Sequence, residues 1–364
     1  MGPMKHRNRL RKVTGVLFAV ASALLACSAA AQTVTLRVHH FLPAASTAHQ
    51  KFIKPWCDRI EHDSRGKLRC QIFPAMQLGG KPPELIEQVR TGAVDVIWTL
   101  PGYTPGRFPT MEVFELPFMS KSAEATSRAA WDYYAKHGTN EFKDYKPLAF
   151  HVHDDGFIHT RTKMVRTLED IRGLKIRAGT RLTARLVELL GGTAVPMPVT
   201  AITDALAKGT IEGTTVPWEV VPAIKLQEFA HYHTETDPLV PALYTSVFVF
   251  AMNKTVYENL PPDLKAVIDQ NSGRELSTQV GRTFDEASEP ARKIALSRAG
   301  NEVYMVPYPE MVLWERASVR LYSEWIQDML KRGLPGPELL LDARSLVDMH
   351  SSPFFGGHGS TRKF

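Results

Sequence analysis

The segment His151-Val-His153-Asp154-Asp155 places two imidazoles and two carboxylates side by side at the end of an apolar run. An HxH pair on a strand end can set both rings on one metal ion with a carboxylate nearby, which is the donor set of a metal-dependent hydrolase. The same spacing suits a solvated strand end, and no further His-and-Asp series at strand ends accompanies it. His39-His40 and His231-Tyr-His233 read as surface or internally satisfied histidines. Glu169-Asp170 stands at a helix start, where the macrodipole accounts for acidic residues. The chain has no GxSxG, HExxH, Walker A or GxGxxG motif, so nucleophile elbows, zincin sites and phosphate loops are without support.

Other residues point to recognition. Gly173-Leu-Lys-Ile-Arg177 is an apolar strand ending in Arg177, whose planar guanidinium can hold a carboxylate through two parallel hydrogen bonds or pair structurally. Trp98, Tyr103 and Trp218 fall at or just beyond strand ends, where open α/β sheets form ligand crevices; core packing is the competing reading. Thr214 and Thr215 add hydroxyls near Trp218, and Glu219 follows it, able to accept from a ligand hydroxyl or to pair with a lysine.

The elements that must position these residues are read from periodicity. Thr33 to Val38 and Leu68 to Phe73 alternate as strands around an amphipathic helix from His49 to Glu61. Pro82-Pro83 opens a helix that Gly92 ends, and Ala93 to Trp98 reads as a buried strand. Such βα units point to parallel α/β sheet. The rhythm restarts after Phe157 with a strand at Leu174 to Arg177, a helix from Arg181 to Leu190 and a strand at Thr193 to Pro196. Thr245 to Asn253 is a strand, Pro261 to Ala299 one long helical region, Glu302 to Val306 a last strand and Pro309 to Arg332 a helix. Gln88 to Asp95 echoes Ala205 to Glu212: helix, glycine cap, short apolar strand carrying an acid. A pseudo-repeat between two lobes would produce that echo, and so would chance.

The chain carries 44 basic and 38 acidic side chains, but Lys5, Arg7, Arg9, Arg11 and Lys12 lie in the first twelve residues. Without them 39 basic residues face 38 acidic ones, which removes the footprint of a nucleic-acid partner. That basic segment, the apolar run 13–26 and Ala29-Ala30-Ala31 before Gln32 form a three-part export signal covering 1–31. The expected location is the periplasm; Leu24-Leu25-Ala26-Cys27 leaves lipid anchoring through Cys27 as the alternative. Cleavage leaves Cys57 and Cys70, one on an early helix and one on the next strand, as a possible disulfide or two free thiols.

Several segments in order carry a family resemblance: Phe73-Pro-Ala-Met-Gln-Leu-Gly-Gly80, Gly92-Ala-Val-Asp95, Phe114-Glu-Leu-Pro-Phe118, Leu168-Glu-Asp-Ile-Arg-Gly-Leu-Lys-Ile-Arg177, Pro196-Met-Pro198, Gly209-Thr-Ile-Glu-Gly213 and Met252-Asn253 with Leu260-Pro-Pro262. The chain resembles the solute-binding proteins of tripartite ATP-independent periplasmic (TRAP) transporters, dicarboxylate-binding type. The resemblance implies a two-lobed α/β periplasmic binding protein, type II-like, each lobe a mixed sheet flanked by helices, with a long hinge-spanning helix. It implies a monomer without cofactor or catalysis that delivers an organic acid to a sodium-coupled membrane permease. The expected division is 32–154 plus 243–285 for lobe I, 155–242 plus 286–310 for lobe II, a helical segment 311–350 and a flexible tail 351–364. Arg177 stands at the position of the arginine that clamps the ligand carboxylate. Two departures shape the pocket: Val216 stands where many relatives place a ligand-touching Asn, and Phe157 where some have a second arginine. With one cation and the flat surfaces of Trp98, Tyr103, Phe157 and Trp218, the expected ligand is a monocarboxylate with an apolar or aromatic body. A 2-oxo or 2-hydroxy oxygen would meet Thr214, Thr215 or His153; sugar acids and dicarboxylates are the competing classes.

Overall fold

The computed structural model describes residues 33–352. The export signal, Cys27 and the tail from 353 lie outside the described residues. Alternating short strands and helices build a first sheet from β1 (Val34–His40), α1 (Lys54–Asp63), β2 (Leu68–Phe73), α2 (Leu85–Thr91), β3 (Val96–Thr99), α3 (Ala123–Tyr133) and β4 (Tyr145–Val152). The second sheet follows as β5 (Gly156–Thr160), α4 (Leu168–Ile171), β6 (Lys175–Ala178), α5 (Arg181–Leu189), β7 (Thr193–Pro196), α6 (Ile202–Ala207), β8 (Gly213–Pro217) and β9 (Tyr232–Thr236). The chain then returns to the first sheet with β10 (Val247–Asn253), runs through α7 (Lys254–Glu258), α8 (Pro262–Gln270) and α9 (Arg274–Leu296), and adds β11 (Glu302–Val306) to the second. Three helices, α10 (Tyr308–Ser318), α11 (Arg320–Lys331) and α12 (Gly336–Ser351), close the described chain.

Strand orders are β2-β1-β3-β10-β4 and β11-β9-β5-β8-β6-β7. Both sheets are mixed. β1 and β3 run parallel, as do β6 with β7 and β8, whereas β10 opposes both β3 and β4 and β5 opposes both β8 and β9. The periodicity alone suggests parallel sheet. The seven residues of β10 are all buried, and a strand covered on both faces reads as the same apolar run in either direction. Of the long helical region expected from 261 to 299, Asn271 to Gly273 interrupt the helix, and Val319 interrupts the later one.

Local chemistry explains the repeated units. Gly92 ends α2 in the left-handed region (φ 77°), and Asp95 beyond it accepts from the backbone N–H of Arg37 on β1 (2.8 Å). Gly209 follows α6 with φ 69°, and Glu212 accepts from the N–H of Lys175 on β6 (3.0 Å). In each sheet an acid just past a glycine anchors one parallel strand to its neighbour. Helix α9 packs closely on α3, where a Cβ at Gly281 would lie 2.3 Å from the Ala123 carbonyl oxygen, and reaches the second sheet through Arg292 and Glu235. Cys57 on α1 and Cys70 on β2 are joined by a disulfide with Cα atoms 5.7 Å apart. No helix among the described residues is long and apolar enough to cross a membrane.

Candidate functional site

A cavity opens between the two sheets. From the first sheet it takes Trp98 at the end of β3, Tyr103 on the 3₁₀ turn Pro101–Tyr103, Phe41 just past β1, His153 just past β4 and Phe248 on β10. From the second it takes Arg177 near the end of β6, Thr215 on β8 and Glu219 on the 3₁₀ turn that follows. β1, β3, β6 and β8 all present their carboxyl ends, the side of an open α/β sheet on which ligands bind.

Arg177 is 4% exposed and makes no ion pair with any described residue. Its Nε donates to the Met197 carbonyl (2.9 Å) and its Nη1 to the Thr215 carbonyl (3.0 Å). These two neutral acceptors fix the guanidinium plane without cancelling its charge. Gly179 leaves room beside it: a Cβ there would lie 3.1 Å from Nη2. A cation taken out of water without a counter-charge is expensive, so the arrangement favours an anion entering the cavity.

The apolar part of the lining is a stack of rings. Trp98 lies between Phe41 (centroids 4.9 Å, 15°) and Phe248 (4.7 Å, 2°), and Phe248 in turn stacks on His151 (4.8 Å, 7°). Trp98 Nε1 donates to His151 Nε2 (2.8 Å). The lone pair that a metal would need is therefore already engaged, and burial pushes His151 down to about 3. Among the described residues no three His, Cys, Asp or Glu side chains are placed to share a metal ion. His153 is held down to about 4 by burial, and its Nδ1 faces the Asp154 carbonyl, which requires the proton on that nitrogen and leaves Nε2 an acceptor. His39 and His40 are fully buried, bonded to Gln88 and His49 respectively, and His233 bonds His159.

Around Arg177 the hydroxyls are largely committed. Thr215 donates to the Arg177 carbonyl (3.1 Å). Tyr103 accepts from the Val199 N–H (3.2 Å), which leaves its own proton to give; burial raises its pKa. Glu219 is buried, burial pushes its carboxyl up to about 8, and its Oε2 has no hydrogen-bond partner.

Of the residues singled out from sequence, Arg177, Trp98, Tyr103, His153, Thr215 and Glu219 line the cavity; Phe157, Thr214 and Trp218 do not. Trp218 packs on His159 and His233 (5.0 and 4.9 Å), donates from its indole to Glu235 (2.8 Å) and has Phe157 at 6.2 Å, all within the second lobe's core. Thr214 alternates away from Thr215 along β8. Phe41, Tyr244 and Phe248 were not singled out. The aromatic density from Tyr244 to Phe250 is the one sequence signal for Tyr244 and Phe248, and it does not say which rings face the crevice; Phe41 has none.

Two α/β lobes with a cavity between their strand ends are the build of a bilobed solute-binding protein. The chain belongs to bacterial extracellular solute-binding protein family 7, the DctP family of TRAP transporters, whose model matches residues 38–328. It is similar to the crystal structure of a TRAP solute-binding protein from Rhodoferax ferrireducens in complex with copurified benzoate: 45% identity, 88% of this chain and 99% of that one, TM-score 0.86. A marine metagenome TRAP protein specific for aromatic acid ligands, with co-crystallized 3-hydroxybenzoate, is 43% identical over 88% of this chain and all of that one, TM-score 0.86. One from Bordetella bronchiseptica, with bound mandelate, is 26% identical over 86% and 99%, TM-score 0.79.

Proposed function

We propose that the cavity captures an aromatic monocarboxylate, its carboxylate on Arg177 and its ring against the Trp98 stack, and that the closed lobes deliver it to a sodium-coupled membrane permease. Arg177 carries this reading: a buried guanidinium, held in place by carbonyls, without an ion-pair partner among the described residues, and lining one cavity with flat apolar rings. The benzoate, 3-hydroxybenzoate and mandelate of similar proteins support it. Sugar acids fit less well, because each of their hydroxyls needs a partner and the lining is mostly apolar. A dicarboxylate would need a second cation, and Arg177 is the one Arg or Lys lining the cavity among the described residues. The role is binding without catalysis, carried out as a monomer after export through residues 1–31. In this reading lobe I holds 32–154 and 243–285, and lobe II 155–242 and 286–310.

Isothermal titration of the purified chain with benzoate, mandelate, succinate and glucuronate tests it. Binding of the aromatic acids that disappears in Arg177→Ala is the expected result. Binding of succinate or glucuronate alone would overturn it.

A further inference from the structure

The cavity lining is polar at two places. Arg177, near the end of β6, marks one, its Nε on the Met197 carbonyl and its Nη1 on that of Thr215. Glu219 marks the other, four residues past Thr215 on the 3₁₀ turn that follows β8. It is 5% exposed, lines the cavity and keeps Oε2 without a partner. A buried carboxyl oxygen left unpaired is costly unless something that enters the site satisfies it. The Thr47 hydroxyl reaches the Glu219 carboxyl, and Oε2 is still without a partner.

We propose that Glu219 reads a hydroxyl carried on the ligand's ring away from its carboxylate, so that the preferred ligands are hydroxylated aromatic monocarboxylates. The inference rests on the function proposed above and narrows it. Burial keeps the Glu219 carboxyl protonated at neutral pH, so it donates and accepts, and it adds no second negative charge beside the ligand's own. A site that hydrogen-bonds a hydroxyl rejects the analogue lacking it because its own buried group is then left unpaired.

The test is the ratio of dissociation constants for benzoate and for 3- and 4-hydroxybenzoate, measured by calorimetry at pH 7. The native chain is expected to favour one hydroxybenzoate by about tenfold, on the scale at which a satisfied buried polar group discriminates. Glu219→Leu should bring the ratio to about one whatever happens to absolute affinity, and Glu219→Gln, which can still pair with a hydroxyl, should retain most of it. A native ratio near one with benzoate still bound overturns the inference and leaves the aromatic-acid reading standing. Ser246 also lines the cavity with a hydroxyl, and a ratio that survives Glu219→Leu but is lost in Ser246→Ala overturns the inference, assigning the ligand hydroxyl to Ser246. Failure of all three acids to bind overturns both. If Glu219→Leu does not fold, Thr47→Val replaces it. Removal of the neighbouring hydroxyl that favours the ionised carboxyl should alter the ratio, and an unaltered ratio counts against Glu219.

Discussion

Arg177 and Thr215 bind each other reciprocally across neighbouring strands. The guanidinium Nη1 donates to the Thr215 carbonyl at 3.0 Å, and the Thr215 hydroxyl donates to the Arg177 carbonyl at 3.1 Å. β6 and β8 run parallel here, so the pair fixes the guanidinium to both strands at once. Thr215→Val keeps the shape and deletes one of the two bonds. Benzoate affinity should fall by about 1 kcal/mol, the usual worth of a neutral hydrogen bond. Calorimetry checks this, and unchanged affinity would show that the guanidinium is held without the hydroxyl.

Arg177→Ala removes the cation itself. The loss should be on the order of 2 to 5 kcal/mol of binding for any carboxylate, since the partner charge stays buried. Arg177→Lys keeps a charge but not the planar fork, and should recover only part of it. A titration in which Arg177→Ala binds as tightly as the native chain would remove the clamp.

Trp98 and Trp218 should separate cleanly. Trp98→Leu opens the ring stack that lines the cavity and should weaken aromatic acids. Trp218→Phe deletes the indole donor to Glu235, which also pairs with Arg292, and should lower thermal stability by about 1 to 3 kcal/mol for the group left unpaired. Its effect on ligand affinity should be small. Melting curves with and without benzoate distinguish the two, and a large affinity loss in Trp218→Phe would place that ring in the site.

Stability should peak near pH 6.5. Burial holds His40 and His151 down to about 3, and His153 and His159 down to about 4, from an ordinary 6.5. The unfolded chain therefore binds more protons below 6.5, and stability drops as pH falls through that range. Glu115 and Glu219 are pushed up to about 8 from 4.5, so the folded chain holds more protons between those values and stability drops as pH rises towards 8. Scanning calorimetry from pH 4 to about pH 9 tests both limbs across the range where proteins usually peak. Glu115→Gln should flatten the alkaline limb, and an unchanged limb would mean that Glu115 is not responsible.

The βα rhythm was legible because it rests on short-range chemistry: the Gly92 cap, the proline starts, the apolar strands. The direction of β10 was not, since burial on both faces erases alternation. Arg177 stood out because a cation at the end of an apolar strand must meet something. Trp218 misled for a related reason. A tryptophan after a strand looks the same whether its turn directs it to the crevice or, as here, back onto His159 and His233. Phe41 and Phe248 carry no motif at all; only the meeting of β1, β3 and β10 makes them a wall.

The position of β10 between β3 and β4 bears on how the protein is made. As the chain emerges from its amino end, β5 to β9 can pair among themselves, but β3 has no partner on one side until the strand starting at Val247 arrives. The first lobe cannot close on its own early segments, and closing it pairs strands far apart in the sequence, which is intrinsically slow. Its ring wall and half of the ligand cavity are therefore late products of biogenesis. A chain cut short before Val247 would lack β10 and the Phe248 ring of the cavity wall even with Arg177 and Thr215 in place.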